Sequence, residues 1–405
     1  MAALVILLLT LINLDKMNNE SVTELKIHIL TNKNNQGNSM QDFNVIDADL
    51  LYKVYEVYGN LKNIKEENPI RLNVNESRKT DKQFAMKYFL NEDDFDEADL
   101  DEAEKMMKQE AYVLNMKEDI IPKIYRHGKT TDKNIPFIIM ESLNYDFLSY
   151  IDDEKNNLLM EEKIGAYIKI VEMYRKLHEI GIVHCNVKLE NIAFISESFN
   201  FKLLNFHLST FKKICDSENI NNIAPEVIRK EKVSGDDVFK SDIYMLGVML
   251  YNLEKKLNPE IVEANQKQDS HENKNLVYKN MSTFIFNVYT DFKDKYSSLN
   301  LFERYENLID LAFKIVILST LKEKASERPS AENLKKEFSD LEEDYNHINA
   351  FSVKYKNDNS KDTIDFQNFL HYGADKEVIL STFKLVSVFV KQFDNKDSGS
   401  DKIII

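Results

Sequence analysis

Apolar and polar residues alternate along the first third of the chain and then shift to a helical period. Leu51–Tyr58, Ile70–Val74 and Phe84–Leu90 carry the alternation of half-buried strands. Leu25–Ile29 is a shorter stretch of the same kind, and Ile135–Met140 reads as a buried strand. Beyond residue 160 apolar residues recur at helical spacing over Ile164–His178, Ser241–Leu253, Leu308–Leu321 and Ala331–Leu341. Ala103–Met116 predicts one more helix inside the strand-rich part. Its approach, Glu92–Glu104, has 9 acidic residues in 13, which suits the positive end of a helix dipole but reads mainly as a solvated loop. Strands first and helices second predict an α+β, two-lobed chain, with a small β-rich lobe over 50–141 and a larger helical lobe over 142–343.

Outside that core the pattern weakens. Residues 17–49 read as a polar, Asn-rich N-terminal extension, and 255–300 as a polar, irregular insert. Residues 344–405 read as a C-terminal extension whose apolar run, Val378–Val390, is expected to pack as a core helix, with a docking helix as the alternative. Residues 1–16 read as a signal peptide, because Ala2–Leu14 is apolar except for Thr10 and Asn13. The run lacks a basic n-region and a small-x-small cleavage site, so an apolar strand or helix packed on the core is the other expectation. It is too short for a membrane span, which needs about 20 apolar residues, and no stable span is expected. Asn19, Asn75 and Asn280 each open an N-x-S sequon. The expected location is therefore the secretory pathway, with the cytoplasm as the alternative.

Composition narrows the partners. The formal charge of −15 and the lack of a basic stripe exclude nucleic-acid binding. With 43% hydrophobic residues, 24 Phe and 19 Tyr, the chain can bury a large core. Cys185 and Cys215 are too few for a disulfide framework and lack zinc-ligand spacing, so two unpaired thiols are expected.

The candidate chemistry lies in an ordered series of short motifs. His184-Cys-Asn-Val-Lys-Leu-Glu-Asn191 follows a helix and leads into the strand Ile192–Ile195. Asn205-Phe-His207 begins fourteen residues after Asn191, and Ala224-Pro225-Glu226 follows. Ser241-Asp242 opens a helix, and Glu327-Arg328-Pro329 comes late. Upstream stand Phe84-Ala-Met-Lys87 and, on the predicted helix, Glu110 and Leu114. In this order and spacing the series resembles the protein kinase family, with its V-A-I-K lysine, H-R-D loop, D-F-G and A-P-E motifs. The resemblance covers roughly residues 50–343 and implies a kinase-like fold of Ser/Thr type. It implies nucleotide-binding positions at Lys87, Glu110, Ala85, Met140 and Glu141. It also implies structural positions at His184, Phe206, Leu114, Glu226, Asp242 and Arg328.

The departures from the family pattern fall on its chemistry. Asn186 takes the place of the catalytic Asp, and an amide cannot accept a hydroxyl proton at neutral pH. Asn205 takes the place of the metal-binding Asp, and with Asn191 leaves a degenerate metal site of neutral amides. His207 replaces the following Gly, and no glycine lies between Gly59 and Gly128 to cover phosphates with bare backbone. Cys185 replaces an Arg that would receive an activation-loop phosphate, so phosphorylation switching is not expected. Lys188 and Asn191 are retained.

Phosphoryl transfer is mainly positioning and charge neutralisation, so losing base, metal ligand and phosphate cover together predicts a pseudokinase. It is expected to bind and regulate a protein partner, with ATP held weakly and without tight Mg²⁺. A Lys87–Glu110 pair kept only for packing is an equal expectation. The alternatives are a divergent active Ser/Thr kinase using another carboxylate, such as Glu190 or Asp216, and a structural module in which the tail 344–405 carries the interaction.

Overall fold

A computed structural model describes residues 27–30, 45–49, 52–59, 70–73, 82–89, 97–129, 134–143, 145–152, 159–195, 198–215, 223–257, 276–295, 298–299 and 301–356, with positions 382, 385, 386, 388 and 389. Ala2–Leu14, Asn19, Asn75, Glu92–Asp96 and Asp216 lie outside these residues, as does most of Val378–Val390. The chain divides into two compact units, 1–143 and 144–405.

The first unit is strand-rich. Strands β1 (Ile27–Leu30), β2 (Val45–Asp49), β3 (Tyr52–Gly59), β4 (Ile70–Asn73), β5 (Lys82–Tyr88), β6 (Ile124–Lys129) and β7 (Pro136–Glu141) form one sheet. Its order is β1-β4-β3-β5-β7-β6, with β2 paired to β3. β5 is central, with antiparallel neighbours on both sides that set Val54 and Ile138 opposite Lys87. Helix α1 (Glu97–Leu114) packs against β7. It begins six residues before the expected Ala103, so the acidic residues from Glu97 onward belong to the helix and not to a loop. Its buried stripe includes Ala103, Met107, Glu110, Ala111 and Leu114, at helical spacing.

The second unit is mainly helical. A short strand β8 (Tyr145–Asp146) and helix α2 (Phe147–Asp152) lead to α3 (Met160–Glu179). In α3, Glu161 and Glu162 occupy the first turn and Lys176 and His178 the last, each sign matching the helix dipole. β9 (Ile182–Val183), β10 (Ile192–Ile195), β11 (Asn200–Leu203) and β12 (Thr210–Phe211) form two small sheets, β11-β10-β8 and β12-β9. The remaining helices are α4 (Pro225–Ile228), α5 (Lys240–Leu257), α6 (Leu276–Lys295), α7 (Leu301–Thr320) and α8 (Ala331–Lys356).

α5 is the axis of this unit, buried continuously from Ser241 to Tyr251. A Cβ at Gly247 would collide with Thr320 Oγ1 on α7, so glycine sets how closely the two helices approach. Deep among the helices, Lys163 and Lys314 meet Glu254 and Asp310, while the Tyr167 hydroxyl donates to Glu254 Oε1 at 2.6 Å. Two cations and two anions neutralise each other there, which makes their burial tolerable.

Two expectations need correction. The supposedly irregular stretch 255–300 contains α6, a helix of 20 residues. Met281, Phe284, Ile285 and Phe292 bury one stripe of it, and the intervening Asn, Thr and Lys residues masked that period. The C-terminal extension does not begin at 344, because α8 runs through to Lys356. Of the apolar run, Thr382, Val386 and Phe389 are buried, and Thr382 donates its hydroxyl to Asp344 on α8.

Candidate functional site

In the first unit, β5 carries Ala85 and Lys87, and the register sets Ala85 opposite Met140 on β7. Both Ala85 and Met140 are buried. Lys87 Nζ lies 2.6 Å from Glu110 Oε2, and both side chains are fully enclosed. The ammonium also lies 4.9 Å from the centroid of the Phe89 ring. Removing two charges from water is costly, and it is tolerated here because they meet at hydrogen-bond distance. Glu141, half-buried at the end of β7, accepts the Lys123 N–H through Oε2 at 3.1 Å. Leu114 is buried in the last turn of α1.

In the second unit, Asp242 at the start of α5 organises the loop 184–191. Its carboxylate accepts the backbone N–H groups of His184 at 2.7 Å and Cys185 at 2.9 Å, and His178 Nε2 lies 2.9 Å away. Cys185 has φ 64°, a left-handed conformation that a β-substituted residue rarely adopts, and the Asp242 contact holds it there.

The tautomer of His184 follows from its partners. Nε2 faces the Leu204 carbonyl at 3.0 Å and must donate, which leaves Nδ1 to accept the Asn186 N–H at 3.2 Å. The ring is therefore neutral. It packs 4.9 Å from the Phe206 ring, centroid to centroid.

A chain of amides continues from Asn186. Asn191 Nδ2 donates to the Asn186 carbonyl at 2.7 Å, and Asn205 Nδ2 donates to Asn191 Oδ1 at 2.6 Å. The Asn186 carbonyl can only accept, so it fixes the orientation of both amides in turn. Asn191 and Asn205 are buried, and Asn205 has φ 63°, a conformation its side chain tolerates better than most. Lys188 is half-buried and Glu190 exposed. His207 lies buried in the turn Phe206–Leu208 at a negative φ, so the left-handed residue is Asn205 and not the position where glycine was expected.

The two cysteines do not remain free thiols. Cys185 and Cys215 are joined as a disulfide, with Cα atoms 5.4 Å apart. Their separation of 30 residues hid the pairing, because only the return of the chain through β12 onto β9 brings them together.

Below the loop, Glu226 and Arg328 form a bidentate pair, with both N–H···O distances 2.7 Å. Arg328 also donates to the carbonyls of Lys322, Lys240 and Glu323, so all five of its N–H groups are used. Its guanidinium stacks over Tyr244 at 4.8 Å.

The family described as Protein kinase domain matches residues 73–338, well over half of the chain. This chain belongs to the protein kinase family. Its fold is the α+β, two-lobed kinase-like fold, with a smaller strand-rich part and a larger helical one. Among its relatives is the probable serine/threonine-protein kinase fnkB of Dictyostelium discoideum, 28% identical over 205 residues. That match spans 48% of this chain and 35% of the relative. Myosin light chain kinase family member 4 of Mus musculus is 28% identical over 155 residues, 38% of this chain and 40% of the relative. A putative serine/threonine-protein kinase of Mycoplasma genitalium is 29% identical over 165 residues, 34% and 43%. The chain thus spans well under half the length of these relatives.

Placed on the kinase pattern, the two metal-ligand positions, Asn191 and Asn205, are joined side chain to side chain, and Asn191 is tied to the backbone carbonyl of the base position, Asn186. The donor set does not fit Mg²⁺, which takes hard and preferably anionic oxygen ligands. Asn191 Oδ1 already accepts an N–H, and Asn205 brings a neutral amide where a carboxylate would carry charge. Among the described residues, no three His, Cys, Asp or Glu side chains gather in a way that could hold a metal ion.

Three functional features escaped the motif reading. The disulfide is one. His178 as a third partner of Asp242 is another, and its place on α3 six residues before His184 was a usable signal. The third is the Lys163–Glu254–Lys314–Asp310 cluster, in which only Asp310 and Lys314 stand at local i,i+4 spacing and the other members come from two further helices.

Proposed function

We propose that this kinase-family chain is a pseudokinase that binds and regulates a protein partner and does not transfer phosphoryl groups. The Asn205–Asn191 hydrogen bond carries this reading. Two acceptors at these positions would need a cation between them. An amide N–H supplies the positive end instead, so the loop is held in shape without a metal. With an amide at the base position as well, the loop offers no carboxylate at these positions to accept the substrate proton or to hold a metal on a transferring phosphoryl group. Lys188 is the cationic group it retains there.

Nucleotide binding, in this reading, is weak and nearly indifferent to Mg²⁺. It depends on Lys87, whose pairing with Glu110 orients the ammonium. The net charge of −15 argues against a nucleic-acid partner. The disulfide supports a secretory location, because such bonds persist in oxidising compartments.

A second reading, a divergent active Ser/Thr kinase, is favoured by the intact Lys87–Glu110 pair and by the relatives being named Ser/Thr kinases. Labelled ATP separates the two. No phosphate should enter the chain itself or generic protein substrates. Incorporation that disappears on Lys87→Met would sink the pseudokinase reading. A thermal-shift titration at fixed free ATP, with and without Mg²⁺, should give equal small shifts that Lys87→Ala abolishes. A shift seen only with Mg²⁺ would revive the active kinase.

A further inference from the structure

The segment that leaves Asn205 makes a tight turn and a short ladder. Ser209 Oγ donates to the Phe206 carbonyl at 2.6 Å, which closes the first turn. β12 contributes only two residue pairs, Thr210 with Val183 and Phe211 with Ile182. Lys212 N–H donates to the Gly181 carbonyl at 2.9 Å. A two-residue ladder is marginal on its own. The Thr210 hydroxyl donates to the Lys213 carbonyl, and two residues further on the chain is tethered covalently at Cys215.

The other end of that bond lies near the start of the 184–191 loop. Cys185 immediately precedes Asn186, its N–H is held by Asp242, and its φ of 64° is set by that contact. Cys215 Sγ lies 3.7 Å from Ser241 Oγ, beside Asp242 in the chain. Both cysteines are buried, at 0% and 3% exposure. Two unbonded thiols need full van der Waals separation, so in a packed interior the reduced pair cannot keep this arrangement.

We propose that the Cys185–Cys215 disulfide is the anchor that orders residues 210–215 on the 184–191 loop, so that thiol oxidation state controls the order of this part of the chain. The step is thiol–disulfide exchange. The thiolate of a dithiol reductant attacks one cysteine sulfur and the S–S bond breaks. The second reductant thiol then attacks the mixed disulfide, giving two cysteine thiols and an oxidised, cyclic reductant. Two electrons pass from reductant to protein. Formation is the reverse, with a disulfide-bearing oxidant of the compartment as co-reactant. Because the sulfurs are buried, exchange requires local opening, and the bond acts as a slow lock. The inference does not depend on whether the chain binds nucleotide or transfers phosphate.

The test uses the full chain secreted from an oxidising host. N-ethylmaleimide in denaturant, applied before any reductant, should leave both cysteines unmodified and yield a linked pair of peptides. Hydrogen exchange is then compared for the oxidised protein, the same folded protein after dithiothreitol, and Cys215→Ser. Amides of 210–215 and 184–191 should exchange ~10-fold or more faster in the reduced protein, while those of α5 stay unchanged. Alkylated cysteines at the first step would overturn the proposal. So would unchanged exchange after reduction, and so would an equal rise in α5, which would make the bond a staple of the whole unit. Reduction of the prefolded chain keeps the test decisive if Cys215→Ser fails to fold.

Discussion

The helical unit treats buried polarity in two opposite ways. At Glu226–Arg328 it encloses a full ion pair and satisfies all five guanidinium N–H groups. At Asn191–Asn205 it encloses two neutral side-chain amides, held by the backbone carbonyl of Asn186, and Asn205 stands where the kinase pattern has a carboxylate. The first arrangement braces α4 against the turn before α8 and needs no outside group. The second would need a cation if that carboxylate were present. Charge is present where the protein itself neutralises it and absent where a ligand would have to, which is the pattern expected under the proposed pseudokinase reading.

The most forceful way to break this comparison is to unpair the brace. Glu226→Ala or Arg328→Ala should lower stability by about 3–5 kcal/mol, because each leaves a buried charge alone. Denaturant unfolding measures this directly. Wild-type stability in both variants would show that the pair is incidental and that the contrast with the amide cluster has no energetic content.

A smaller effect is expected from restoring charge at the amide cluster. In Asn205→Asp a carboxylate oxygen faces Asn191 Oδ1, where an N–H now donates at 2.6 Å. Turning the Asn191 amide over does not help, because Oδ1 would then face the Asn186 carbonyl. The variant should lose about 1–3 kcal/mol in a chelating buffer, the cost of an unsatisfied buried acceptor. Added Mg²⁺ or Ca²⁺ should restore part of the loss by binding the folded state. The wild type should respond to neither ion. A cation-dependent rise in wild-type melting temperature would mean that the amides already act as metal ligands.

The sequence disclosed this contrast unevenly. Glu226, Arg328, Asp242 and the three asparagines were legible because they sit in short motifs at fixed spacing. Both Lys87 and Glu110 were found in the same way, and the structure pairs them. Helix α6 was not legible, since its apolar stripe lies among Asn, Thr and Lys residues that read as loop composition. The disulfide was invisible for a different reason. Spacing says nothing about two cysteines 30 residues apart until β12 folds back on β9. The orientation of the amides was equally hidden, because it is decided by one carbonyl, that of Asn186, and not by residue identity.

Asp344 offers a third case that sharpens the comparison, a buried carboxylate with no cation paired to it among the described residues. It is 1% exposed, it accepts the Thr382 hydroxyl through Oδ2, and its Oδ1 has no hydrogen-bond partner among the described residues. Burial pushes its pKa up to about 7 from the usual 3.8; the Thr382 hydrogen bond opposes this, and Asp340 and Glu343 add to it. The folded chain therefore holds this proton more tightly than the unfolded chain does. Between about pH 4 and 7 the unfolded state has lost the proton and the folded state keeps it, so this group's contribution to stability declines as pH rises through that window and is flat above it. Asp344→Asn makes here the exchange that the amide cluster already carries. An amide cannot ionise, so the variant should match the wild type near pH 4 and exceed it at pH 8 by at most about 4 kcal/mol, where the wild type must enclose a charge. Melting curves of both proteins across pH 4–8 measure the gap. A constant difference at every pH would mean that the Asp344 carboxyl titrates alike in both states and that the Thr382 contact does not desolvate it.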